Sequence, residues 1–327
     1  CMLEKFGRIK LGHFPTPIEH LKNISKYLGG PNIFIKRDDC TGLATGGNKT
    51  RKLEFLMSDA IKNKAELVIT VGAVQSNHAR QTAAACALLG LKCLIILEQR
   101  LNNAPNVYMN SGNVFLDKLF GADIQLCPKN EDFLKYTEKT VENIKSKGTN
   151  VYFIPGGGSN SIGALGYVEC LNEIIKENNK YDFSQIVHAT GSAGTQAGLL
   201  AGKKYFNCNI AVTGICIRHK KDIQVDKVYD EAKKTCEKLC CNILDKSDVI
   251  VYDEYIGPGY GAPSEEMIEA TKLLAKKEAI LLDPVYSGKA FAGLIGLIKN
   301  KKFKMNDNVL FIHTGGAASL PAYEWAF

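Results

Sequence analysis

No apolar run in this 327-residue chain approaches the roughly 20 residues that a membrane-spanning helix needs, and no leading segment resembles a signal peptide. There is no C-x-x-C, no internal repeat, no low-complexity tract and no long linker. A basic stripe with interleaved aromatics is also missing, so nucleic acid is not the expected partner. What is left is a globular composition, with 45% hydrophobic and 23% charged residues. The net charge of +7 is a mild excess of 41 basic over 34 acidic residues, spread along the chain. It is compatible with an anionic small-molecule substrate without demonstrating one. The cysteines number eleven, an odd count, and most sit in apolar segments, as Cys86, Cys93, Cys127, Cys208 and Cys216 do. Cys236, Cys240 and Cys241 cluster with no histidine near them in sequence, so they read as free thiols and not as a zinc site. Free thiols point to a reducing compartment. A cytosolic protein is therefore expected, with room before the opening Cys1-Met2 for a removed targeting peptide.

Strand and helix patterns alternate from Ile33 onward. Apolar runs rich in Val and Ile suggest strands at 33–39, 66–72, 92–97, 123–127, 151–154, 185–189, 210–217, 248–255, 280–283 and 308–313. Continuous runs of this kind mark strands covered on both faces, and the helices between them imply parallel sheets with right-handed crossovers. The first 32 residues read as irregular around one short helix. Several strands end in glycine-rich loops, and in open parallel sheets the carboxyl ends of the strands are where ligands bind.

The first such loop is Gly46-Gly47-Asn48-Lys49, followed by Leu53, Leu56, Met57, Ala60 and Ile61 at helical spacing. Lys49 therefore stands at a helix start, where the positive dipole end disfavours a second positive charge and favours the nucleophilic neutral amine. A second loop runs Val74-Gln75-Ser76-Asn77-His78 into an alanine-rich helix, with Ser76 as its N-cap and free N–H groups beyond it for an anion. A third, Thr190-Gly191-Ser192-Ala193-Gly194-Thr195, combines a flexible backbone with three hydroxyls and suits a phosphate dianion. It lacks the first glycine and the acidic partner of a dinucleotide fingerprint, and Gly42 to Thr50 is no Walker A loop because Asn48 precedes the lysine. Tyr286, Ser287 and Thr314 lie on late strand-end turns, and Tyr260 lies between two glycines. A lysine, a phosphate cradle and recurring hydroxyls fit an aldehyde cofactor that carries a phosphate.

Taken together, G-G-N-K-T-R-K-L-E, Q-S-N-H-x-R-Q, T-G-S-x-x-T-Q-A-G, D-P-V-Y-x-G-K and H-T-G-G make the chain resemble the pyridoxal-phosphate enzymes of the tryptophan-synthase β fold group, fold type II. Within that group it is most similar to the branch of D-cysteine desulfhydrase and 1-aminocyclopropane-1-carboxylate (ACC) deaminase, from Gly12 to Gly316. The resemblance implies two doubly wound α/β domains: a large one of residues 1–49 plus 156–327 and a small one of 50–155. It implies pyridoxal 5'-phosphate (PLP) held on Lys49, with Asn77 on the ring oxygen, Thr190, Gly191, Ser192, Ala193, Gly194 and Thr195 around the phosphate, and Thr314 facing the ring nitrogen. Ser76, Asn77 and His78 would hold the substrate carboxylate, and Tyr260, Tyr286 and Ser287 would lie on the substrate side. Lys49, Ser76, Tyr260 and Tyr286 form the implied catalytic set. Family members are commonly homodimers.

ACC deaminases carry Glu after the tyrosine of D-P-V-Y and Leu before the final glycine pair, whereas this chain has Ser287 and Thr314. That is the desulfhydrase pattern, and it implies β-elimination from D-cysteine to pyruvate, hydrogen sulfide and ammonia. ACC deaminase, serine racemase or dehydratase and L-cysteate sulfo-lyase are the neighbouring activities. A cofactor-retaining amino-acid-binding protein and a nucleotide-binding enzyme are the readings from other classes.

Overall fold

The computed structural model describes residues 2–327, and Cys1 of the Cys1-Met2 pair lies outside the described residues. Among the described residues, ten strands divide into two sheets. The larger runs in the order β1 (Ile18–His20), β2 (Asn32–Lys36), β10 (Asn308–Ile312), β7 (Phe183–Thr190), β8 (Ala211–Cys216) and β9 (Ile250–Tyr252). The smaller runs β5 (Asp123–Leu126), β4 (Lys92–Glu98), β3 (Leu67–Ala73) and β6 (Val151–Ile154). The helices of the first half are α1 (Lys22–Leu28), α2 (Lys49–Lys62), α3 (Asn77–Leu89), α4 (Asn106–Asn110), α5 (Asn113–Leu119) and α6 (Phe133–Ser146). Those of the second are α7 (Leu165–Tyr181), α8 (Gly194–Phe206), α9 (Lys221–Leu239), α10 (Glu265–Glu278) and α11 (Ser287–Lys299). All strand pairs are parallel except β1 on β2, which is antiparallel with Ile18 opposite Lys36.

Side chains alternate across each strand, so a strand buried on both faces feeds two cores. In the larger sheet Phe34, Ile186, Leu310 and Ile312 enter one apolar cluster, while Ile33, Ile35, Val187, Val309 and Phe311 enter the other. In the smaller sheet Val68, Cys93, Ile95 and Leu97 face one way, and Ile69, Leu94 and Ile96 the other. The helix α2 belongs to both halves. Its Leu53, Leu56 and Met57 pack in a core of the smaller sheet, and its Phe55 packs in a core of the larger.

The start of α2 is pinned by a buried ionic network. The Arg51 guanidinium donates to Asp38 at 2.7 and 2.9 Å and to Glu173 at 2.5 and 3.0 Å, and Lys36 Nζ reaches Glu173 at 3.0 Å. Burial alone would push the Asp38 carboxyl up, but Arg51, Lys36 and the Tyr167 hydroxyl hold it down to about 2. At the other end of the chain the Tyr323 hydroxyl donates to Gly261 O at 2.7 Å. The indole of Trp325 stacks on the Tyr323 ring at 5.6 Å.

Three elements differ from the sequence reading. Residues 280–283 form no strand: Leu281 is 54% exposed, and the chain turns at once around Asp283. The segment expected as irregular supplies the short edge strand β1, and the strand expected over 248–255 is confined to Ile250–Tyr252. Among the described residues the ten cysteines are free thiols, and no helix is long and apolar enough to cross a membrane.

Candidate active site

Lys49 is the first residue of α2, and its helix start is tied to the end of β10 by Asn48 N, which donates to Thr314 O at 3.0 Å. The Lys49 side chain is buried, and its Nζ donates to Gly157 O at 3.0 Å. One helical turn on, Lys52 Nζ donates to the same carbonyl at 3.2 Å. Burial lowers the Lys49 amine to about 8, and burial together with the Lys49 charge holds Lys52 well below the usual lysine range. The sequence reading credited the helix dipole with this effect. In the structure desolvation is the largest cause for both amines, and the Lys49 charge adds to it only at Lys52.

Beyond β7, Ala193 takes a left-handed conformation (φ 87°) and α8 begins at Gly194. Gly194 N donates to Ser159 Oγ at 2.9 Å, and Ser159 Oγ lies 2.7 Å from Ser192 Oγ. A Cβ on Gly194 would stand 2.6 Å from Ser159 Oγ and 3.1 Å from Lys52 Nζ. One on Gly157 would stand 2.1 Å from Ser192 Oγ and 3.0 Å from Lys49 Nζ. The loop 156–159 and the loop 190–195 thus build a single cradle with Lys52 beside it. Thr195 Oγ1 accepts from Asn48 Nδ2 at 3.2 Å, and Thr190 Oγ1 accepts from Gln224 Nε2 at 2.8 Å.

Ser76 caps α3, its Oγ accepting from Ala79 N at 3.0 Å, which leaves the N–H groups of Asn77 and His78 without helical carbonyls. The Asn77 amide is locked in one orientation. Its Oδ1 accepts from Asn113 Nδ2 at 2.8 Å and from Arg80 Nη1 at 3.2 Å, so Nδ2 is directed towards Gly316, beyond Thr314. His78 Nε2 lies 2.7 Å from Thr70 Oγ1, which donates its own proton to Ile154 O, so Nε2 carries the ring proton. His78 Nδ1 is then a buried acceptor with no protein partner, and burial first, then Lys49 and Lys52, keeps the ring neutral.

Lys49, His78, Gly191, Ser192, Ala193 and Tyr286 line both an inner recess and an outer cavity of about 430 Å³. Asn77, Thr190, Thr195 and Thr314 line the recess, Ser76 and Tyr260 the outer cavity. Tyr260 and Tyr286 are joined by a short hydroxyl–hydroxyl hydrogen bond, and burial keeps the Tyr286 phenol protonated. Ser287 is a correction to the sequence reading. It is fully buried and lines neither space, and its Oγ donates to Asp283 Oδ1 at 2.6 Å inside the turn. The sequence reading gave no role to Lys52, Ser159, Arg80, Asn113, Arg100 or Arg218. Lys52 could have been found, one turn from Lys49 on the same helix face. The others meet the site only through tertiary structure.

Residues 9–315 match the family model described as "Pyridoxal-phosphate dependent enzyme". The chain belongs to this family. A crystal structure described as that of an ACC deaminase homologue is 38% identical, with a TM-score of 0.90, covering 99% of this chain and 96% of that one. The local chemistry fits the cofactor of a pyridoxal-phosphate enzyme. A buried amine of lowered pKa stands beside a cradle with no room for a Cβ, a second amine faces that cradle, and an unpartnered imidazole nitrogen lines the recess.

Proposed function

We propose that this pyridoxal-phosphate enzyme is a β-elimination lyase acting on β-substituted amino acids, with D-cysteine as its test substrate and pyruvate, hydrogen sulfide and ammonia as products. The observation that carries the reading is the recess wall: among the described residues lining it there is no carboxylate. When bound, PLP supplies an electron sink for charge developing at Cα, and a sink with no acid partner is a weak one. A good leaving group at Cβ tolerates that, whereas opening a cyclopropane does not, because carbon is the group that departs.

The chain's own residues divide the work. Lys52, Ser192, Gly194 and Thr195 would hold the phosphate, and the Asn77 amide, fixed by Arg80 and Asn113, would hold the ring oxygen. Thr314, which lines the recess, would be a neutral partner for the ring nitrogen. Ser76 Oγ and the first N–H groups of α3 orient the substrate carboxylate at a helix N-terminus. Lys49 Nζ takes the Cα proton, for which an amine of pKa about 8 is suited near neutral pH. The Tyr260–Tyr286 pair presents a phenol proton to the departing sulfur.

The test is a paired assay of the holoenzyme: sulfide and pyruvate from D-cysteine, against 2-oxobutyrate from ACC. Faster elimination from D-cysteine is expected. Faster 2-oxobutyrate formation would replace this reading with ACC deaminase, the activity named for the 38% identical structure.

A further inference from the structure

The rim of the outer cavity carries a group of cations that elimination from D-cysteine does not use. Arg100 follows β4, Arg218 follows β8, and Lys227 projects from α9, so the two sheets and a helix bring them to one opening. The Arg100 and Arg218 guanidinium groups lie 4.8 and 5.7 Å from the centre of the Tyr260 ring, whose hydroxyl meets Tyr286. Arg100 Nε donates to Glu98 Oε2 at 2.7 Å, whereas no carboxylate among the described residues lies within ion-pair distance of Arg218 or Lys227. Glu231 also lines the cavity, its carboxyl raised by burial and pulled back by Lys234 and Lys52, while burial lowers the His219 imidazole and burial with the neighbouring cations lowers Arg218 and Lys227.

Like charges gathered at a concave, partly dry surface repel one another, and an arriving anion relieves the repulsion. A single surface lysine would mean nothing, but three cations line the same cavity as Ser76 and the N-terminus of α3. The cavity lining therefore offers two groups of anion-attracting residues, with Lys49 and Tyr286 in the same lining. We propose that Arg100, Arg218 and Lys227 form a second anion subsite, and that this site prefers amino acids whose side chain ends in an oxyacid anion, a carboxylate or a sulfonate. The inference rests on the amino-acid reading above and extends it. D-cysteine, whose side chain carries no oxyacid group, would leave this subsite unused.

The experiment uses ligands without an amine, which bind the holoenzyme but cannot react: propanoate, succinate and 3-sulfopropanoate, titrated by calorimetry. The two-ended acids are expected to bind about tenfold or more tightly than propanoate, the scale of one well-placed charge contact. In Arg218→Met/Lys227→Met that preference falls to within about twofold, as expected when the charge contact is gone. The single variants lie between, and each is accepted as folded when its cofactor absorbance is retained. Succinate and 3-sulfopropanoate compared with each other identify the acid. Equal binding of all three ligands to the wild type, or a preference that survives in the double variant, overturns the subsite. Pyruvate assays separate the two readings. Turnover of D-cysteine with flat ligand ratios defeats the subsite alone, and a clear ratio without pyruvate from any β-substituted acid defeats the elimination reading alone.

Discussion

At Lys49 one amine is pulled two ways. Desolvation strips its proton, and the Lys52 amine, hydrogen-bonded in the same pocket, pulls in the opposite direction. Lys49→Ala should abolish the visible absorbance of bound cofactor and the borohydride-reducible adduct, with no loss of Tm in the cofactor-free protein, because the variant removes an amine whose burial is itself unfavourable. An adduct persisting elsewhere in the chain would contradict the assignment. A second expectation follows from the sign of the shift. Only the neutral amine attacks an aldehyde, so covalent reloading of the cofactor-free protein should accelerate as pH rises and level off near 8. An ordinary lysine would keep accelerating to about 10.4. Stopped-flow absorbance across that range distinguishes the two.

Among the elements, α2 and α8 carry the consequences. Arg51, two residues beyond Lys49, neutralises Asp38 and Glu173, so Arg51→Met leaves two buried carboxylates with Lys36 as their one remaining cation. A loss of about 3–5 kcal/mol is expected, read from the urea midpoint. Because the folded-state pKa of Asp38 is depressed from 3.8 to about 2, its share of that stability is present above about pH 4 and disappears as the pH falls towards 2. At α8, Gly194→Val places branched carbons against Ser159 and Lys52 and should strip the cofactor on dialysis while the sheets stay intact by circular dichroism. These elements were legible in the sequence because apolar runs and helical spacing report burial directly. Residues 280–283 misled for the same reason: Ile280-Leu281-Leu282 is an apolar run, but the carboxylate of Asp283 captures the N–H groups of Val285, Tyr286 and Ser287, and a turn wins. Ser287 was misplaced with it, since a hydroxyl at a strand end looks the same whether it faces a ligand or its own turn. Arg100, Arg218 and Lys227 left no mark in the sequence because residues 100 and 218 become neighbours only when the two sheets close on the cavity.

For the whole molecule, the decisive arrangement is the helix shared between the two halves. Each sheet has apolar clusters on both faces and could melt independently, but Phe55 and Leu53 on α2 bury themselves in different halves. Neither half can release α2 without opening a core of the other and displacing Lys49. A single calorimetric transition is therefore expected for the holoenzyme, with the cofactor absorbance disappearing at the same temperature. Two resolved transitions, with absorbance retained through the first, would show that α2 belongs to one half only.

The contact between Tyr323 and Gly261 has an optical consequence. Trp325 is the one tryptophan in the chain, and it stacks on the ring whose hydroxyl holds the backbone next to Tyr260. Its emission thus originates from one known spot, beside the loop whose Tyr260 lines the cavity. Without any added dye, the protein carries its own lamp beside the cavity mouth, and a ligand that draws Tyr260 inward changes the brightness of that lamp.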